Sequence, residues 1–292
     1  MSSIEKAAEK LKNATKTTVR RGPDIESFED KSAGESLTSS IPKDEAGQDK
    51  EIYPILSVLE ESNMVTPSLS DTRQAEEYRQ IKRPLLTNIT GRGASITERA
   101  NVIMVTSALP GEGKTYTAIN LAMSIATERD HSVLIVDCDV IKHSLSSLFG
   151  LETRPGLIDV LDESVTSLHD VVINTDIPSL KILPAGRAHS FSTELLASDS
   201  MGRVMDDLTS RYTDRIIIFD SPPLLMTSQS VVLASHAGQI VVVVEEGVTP
   251  QNAVLEAISK LDPHKAIGTV LNKRSRLSPG EQYGGYYGSY GD

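Results

Sequence analysis

The stretch that most constrains this chain runs from Asn101 to Thr115, where an apolar, β-branched NVIMVTS leads into ALPGEGKT. The first part reads as a buried parallel strand. Past the glycines, Ile119, Leu121, Ala122 and Ile125 recur at helical spacing. Strand, glycine-rich turn and helix in that order form the setting of a phosphate-binding loop. Gly111 and Gly113 let the backbone aim its amides inward. Lys114 carries a cation toward β and γ phosphates, and Thr115 can place its hydroxyl on Mg²⁺ at the helix N-terminus. Pro110, Glu112 and Tyr116 complete the expected nucleotide-contacting stretch. Ala108 replaces the usual first glycine and leaves the chemical core, GEGKT, intact. A glycine-rich turn without a ligand would not need this strand-and-helix context.

Two further strands end in acid. HSVLIV at 131–136 delivers Asp137-Cys138-Asp139, and RIIIF at 215–219 delivers Asp220 ahead of Ser221-Pro222-Pro223. In a parallel α/β sheet, ligands bind beyond the carboxyl ends of the strands. Asp137, Asp139 and Asp220 can therefore converge on the Mg²⁺ and phosphates held by the loop. In the mechanism expected here Thr115 and Asp139 hold the metal directly or through water, and Asp220 supports it directly behind them or through its water. Asp137 is the candidate to orient or deprotonate an incoming hydroxyl. A single aspartate after a strand usually caps a helix or turn. Three of them beside an intact GEGKT favour the metal-and-phosphate reading.

The remaining pattern predicts an α/β fold of the P-loop NTPase type, a mostly parallel sheet flanked by helices. Residues 180–183, 239–244 and 267–271 read as further strands, and 194–212 and 250–261 as helices. Three regions are expected: a variable extension and linker over 1–70, the nucleotide-binding domain over 71–275, and a tail over 276–292. The extension is polar, with a flexible middle. Its segment Ile4 to Ala14 reads either as a short amphipathic helix that docks to a partner or membrane, or as a frayed solvated tail. After Asn272 periodicity disappears. The last ten residues, YGGYYGSYGD, hold four of the eight tyrosines, each beside glycine, which keeps the phenols accessible.

Composition removes several classes. A formal charge of −11 argues against a nucleic-acid binder, which needs a basic face. No apolar run approaches the roughly 18 residues that span a bilayer, and the opening does not resemble a signal peptide, so a cytoplasmic location is expected. Cys138 is the only cysteine and reads as a small buried residue. The six histidines show no zinc-ligand spacing.

The set ALPGEGKT, VLIVDCD and IIIFDSPP resembles the Walker A, A′ and B motifs of the bacterial protein-tyrosine kinases that regulate capsule and exopolysaccharide export. The likeness runs from about Glu76 to the end. It implies an ATP- and Mg²⁺-dependent autokinase, with Lys114, Asp137, Asp139 and Asp220 catalytic and Tyr283, Tyr286, Tyr287 and Tyr290 as phosphoacceptors. Glu76, Arg79 and Lys82 resemble the family's oligomerisation motif, with lysine where the last arginine is usual; the two are not equivalent where a planar fork is needed. Ile141 stands where the A′ motif usually carries arginine. Asn272 reads equally as a loop cap or as the adenine contact of related P-loop ATPases. The opening MSSIEKAAEKLKNA with EEYRQIKRPLL resembles the exosortase-associated autokinase subgroup. The family further implies a ring of copies, a membrane-anchored polysaccharide co-polymerase as activator, a phosphotyrosine phosphatase, and a position at the inner face of the plasma membrane. Two rival readings stand beside it: a partitioning-type ATPase switch, whose extra loop lysine is absent at Leu109 and Pro110, and a nucleotide-binding scaffold.

Overall fold

In the computed structural model, residues 51–93, 98–210 and 215–274 are described. Val102–Ser107 forms strand β2 and Ser132–Asp137 forms β3, while Leu180–Leu183 is β5, Arg215–Asp220 is β6, Gln239–Glu245 is β7 and Ala266–Asn272 is β8. With the short strands β1 (Ile52–Tyr53) and β4 (Ile173–Thr175), they make one eight-stranded sheet in the order β1-β4-β5-β3-β6-β2-β7-β8. Every pairing is parallel except β4 with β5.

The central strands are buried along nearly their whole length and apolar in their middles because both faces are covered. Alternate residues feed opposite layers: Ile103, Val105, Val133, Ile135, Ile216 and Ile218 join one core, whereas Val102, Met104, Leu134, Val136, Ile217 and Phe219 join the other. The first core is closed by helices α1 (Leu56–Glu61), α2 (Arg73–Ile89) and α3 (Lys114–Ala126), with the short α4 (Ser144–Leu148) at its side. The second is closed by α5 (Leu157–Leu161), α6 (Leu168–Val171), α7 (Ser192–Leu196), α8 (Asp199–Ser210) and α9 (Gln229–His236), with α10 (Gln251–Ser259) beyond them. Helix α3 is buried along nearly its whole length, from Thr117 to Ala126, because the sheet lies against one side and α2 against the other.

Two expectations change. The boundary near residue 70 moves to before Ile52, since β1, α1 and the turn after them belong to the folded unit. Ile55, Leu59, Met64 and Val65 are in the core, and the Asp176 carboxylate accepts hydrogen bonds from the amides of Ile55 and Leu56 at 3.0 and 3.3 Å. The single helix expected over 194–212 is instead α7 and α8, broken at Ala197–Ser198, where the Ser198 hydroxyl donates to the Leu195 carbonyl at 2.7 Å. Among the described residues, no helix is long and apolar enough to cross a membrane. The four tail tyrosines lie outside the described residues.

Candidate active site

The order of strands brings the ends of β3, β6 and β2 side by side, so that Asp137 and Asp220 are register partners and the loop after β2 lies next to them. That loop is built by its own side chains. Glu112 is buried, and its carboxylate accepts from the Leu109 amide at 2.6 Å and from the Thr249 hydroxyl. Ser107 donates its hydroxyl to the Leu109 carbonyl at 2.7 Å. Gly111 and Gly113 have φ of 88° and 91°, in the left-handed region that favours glycine. A Cβ on Gly113 would also lie 2.1 Å from the Asn272 side-chain nitrogen. From Lys114 onward the chain is helical, and the unpaired first-turn amides of α3 offer a positive end to an anion.

Lys114 is buried, with Nζ 3.3 Å from Asp139 Oδ2. The approach lacks hydrogen-bond geometry, and Oδ2 has no other partner. Asp139 Oδ1 accepts from the Lys142 amide at 3.2 Å. Both carboxylate oxygens of Asp220 are buried and have no partner at hydrogen-bond geometry, the Thr115 hydroxyl being the nearby donor. Burial, then the Asp137 charge, pushes the Asp220 carboxyl up to about 8, against the pull of the Lys114 ammonium and the Thr115 hydroxyl. Buried carboxylate oxygens without donors carry a large desolvation cost and mark a place where something else supplies the compensating charge. These oxygens fit Mg²⁺. Mg²⁺ takes one or two carboxylates and completes its shell with water and phosphate.

Asp137 is engaged by its own neighbours in the fold. It is fully buried, Oδ2 accepts from the Ser146 amide and hydroxyl at 2.8 and 2.7 Å, and Oδ1 accepts from the Asp139 amide at 3.1 Å. Burial raises its carboxyl and these donors lower it, with burial ahead. A carboxylate engaged this way fixes the β3 exit and the backbone at Asp139. Cys138 is buried, its thiol pushed well up by burial and then by the neighbouring carboxylates, and serves as the small core residue expected.

Comparison with known proteins agrees with this geometry. Residues 100–266 match the AAA domain family. The tyrosine-protein kinase YwqD of Bacillus subtilis (strain 168) is 31% identical over 229 residues, covering 78% of this chain and 92% of the relative. The chain belongs to the bacterial tyrosine-protein kinase family. Members differ in length: the tyrosine-protein kinase ptk of Acinetobacter johnsonii is 27% identical over 79% of this chain, which spans 29% of that protein. The crystal structure of the VpsO kinase domain superposes with a TM-score of 0.56 at 31% identity, over 70% of this chain and all of that one.

Within this kinase fold the other expected residues fall into place unevenly. The Tyr116 hydroxyl donates to the Asn63 carbonyl at 2.9 Å and accepts from the Gln74 amide at 2.7 Å, so its side chain ties the first turn of α3 to α2 and to the turn before α2. The Asn272 side-chain amide donates to the Glu112 carbonyl at 2.8 Å, which ties β8 to the loop. Glu76 and Arg79 pair on the open face of α2 at 2.5 Å. Lys82 turns inward, is 5% exposed, and reaches Glu128 at 2.6 Å and the Ser124 carbonyl at 2.5 Å. Ile141 is 64% exposed. Sequence reasoning missed Ser146 and Thr249, whose links to Asp137 and Glu112 span nine and 137 positions and leave no local pattern.

Proposed function

We propose that this chain is an ATP-dependent protein-tyrosine kinase acting on Tyr283, Tyr286, Tyr287 and Tyr290 of its own kind, in trans within an oligomer, to regulate exopolysaccharide polymerisation and export. The exosortase-associated subgroup is the branch its opening resembles. The observation that carries the reading is an intact phosphate loop whose mouth holds three buried carboxylate oxygens without hydrogen bonds, two on Asp220 and one on Asp139.

Thr115, Asp139 and Asp220 would hold Mg²⁺, which when bound neutralises charge on the β and γ phosphates. The amides from Glu112 to Tyr116 bind the phosphate oxygens, and Lys114 leaves Asp139 for the γ group, where negative charge collects as it transfers. Asp137 acts through Asp139. Phosphoryl transfer through a loose transition state depends on positioning and charge more than on a strong base, so an engaged Asp137 is compatible with the reaction. The acceptor tyrosine oxygen bonds the γ phosphorus as the bond from that phosphorus to the bridging β–γ oxygen breaks; ADP departs with that oxygen, and the phenolic proton passes to water as the bond forms.

Partners follow from the same reading: a membrane-anchored co-polymerase that activates the kinase and brings it to the inner face of the membrane, neighbouring copies engaged through Glu76 and Arg79, and a phosphotyrosine phosphatase that resets the tail. The test is mass spectrometry of the tail after incubation of the concentrated protein with Mg-ATP and the activator. Lys114→Met is expected to abolish phosphotyrosine while keeping the melting temperature. Equal tail phosphorylation in wild type and variant would overturn the assignment of this site.

A further inference from the structure

The end of β8 grips the phosphate loop from outside. Besides the Asn272 bond to the Glu112 carbonyl, the Lys273 ammonium donates to the Gly111 carbonyl at 2.7 Å. Lys273 is itself anchored, 3.0 Å from Glu245 Oε2, and the next residue, Arg274, lies 3.6 Å from Glu246 Oε1.

In a planar trans peptide, the carbonyl of one residue and the amide N–H of the next point in opposite directions. Fixing the Gly111 carbonyl on Lys273 therefore turns the Glu112 N–H to the other side. Fixing the Glu112 carbonyl on Asn272 does the same for the Gly113 N–H. Nothing local enforces either orientation, because Gly111 and Gly113 rotate more freely than any other residue. The opposite flank of the loop is set by Ser107 and by the Glu112 carboxylate on the Leu109 amide. The Gly113 carbonyl is already taken by the Thr117 amide at 2.9 Å, as the first bond of α3. The Gly111 and Glu112 peptides are thus the part of the loop whose direction depends on β8.

We propose that Lys273, with Asn272, is a positioning residue for the nucleotide phosphates: it holds the Glu112 and Gly113 amides toward them by pulling the preceding carbonyls away. The start of the segment that carries the tyrosine cluster is then a working part of the nucleotide site. This rests on the loop being a nucleotide site and is independent of which hydroxyl receives the phosphate.

The test is calorimetric titration of the full-length protein with Mg-ATP, and with Mg-tripolyphosphate, which lacks base and ribose. Lys273→Met should weaken both by about tenfold, the scale of one lost charge-assisted hydrogen bond, with little change in melting temperature. Lys273→Arg should stay within about threefold of wild type, since a cationic donor remains. Should Lys273→Met fold poorly, Glu245→Gln takes its place: it keeps the ammonium, removes its anchor, and should weaken both ligands about threefold. Mg-ATP binding within twofold of wild type for a folded Lys273→Met would overturn the proposal, as would a loss that arginine does not restore. An unphosphorylated tail in wild type would count against the kinase reading and leave this binding result unaffected.

Discussion

Asp220→Asn should make the ligand-free protein more stable while removing its activity. In the folded chain the Asp220 carboxyl is fully buried, with no partner at hydrogen-bond geometry, and pushed up to about 8 from an ordinary 3.8. At pH 7 the unfolded chain has released this proton and the folded one keeps it. The interval from 3.8 to 7 is just over three pH units, and at about 1.4 kcal/mol per unit the burden on folding reaches about 4 kcal/mol as an upper limit. The sign follows from proton counting: between about 4 and 8 the folded state binds more protons than the unfolded state, so this group makes stability fall as pH rises through that window. An amide has nothing to ionise and loses this slope. For a domain of this size each kcal/mol moves the melting temperature by roughly 2–4 °C. In metal-free buffer the variant should therefore melt on the order of 5–10 °C above wild type at pH 7, with the gap closing toward pH 4. Saturating Mg-ATP should raise the melting temperature of wild type and leave that of the variant nearly unchanged. Differential scanning calorimetry at several pH values, with chelator and then with Mg-ATP, measures all of this. A variant no more stable than wild type at pH 7, or a gap that does not change with pH, would refute the reasoning.

Three further outcomes are expected. Gly113→Ala meets a φ of 91° and the Asn272 side-chain nitrogen 2.1 Å from the new Cβ, so it should cost about 1–3 kcal/mol in thermal or urea unfolding and weaken Mg-ATP binding at least tenfold. Lys82→Ala removes the buried partner of Glu128 and of the Ser124 carbonyl, at about 1–2 kcal/mol in the same unfolding assays. Its oligomeric mass by light scattering should match wild type, whereas Glu76→Ala and Arg79→Ala, on the open face of α2, should lower that mass and leave the melting temperature almost unchanged.

Lys82 shows how far motif spacing reaches. Glu76, Arg79 and Lys82 recur every three residues, which puts them near one helix face, but spacing does not say where the neighbouring helix α3 lies. Contact with α3 turns Lys82 inward. Asp137 teaches the same: its place at the end of an apolar strand was legible, while its hydrogen bonds to Ser146 depend on how the chain after β3 folds back. The break between α7 and α8 follows from Ser198 satisfying a carbonyl locally, a choice that the smooth helical pattern over 194–212 conceals.

Local chemistry accounts for the features that could be read before the fold was known. Glycines mark where the loop needs a left-handed backbone, apolar β-branched runs mark strands covered on both faces, and acids at strand ends mark the ligand edge of a parallel sheet. The tertiary structure alone decided the rest: that β1 and α1 join the domain, that β3, β6 and β2 are neighbours, that Thr249 and Lys273 reach across more than a hundred residues to the phosphate loop. Those contacts join residues remote in sequence through strand order and side-chain burial, and a polar atom's partner is known only once the sheet has chosen which elements surround it.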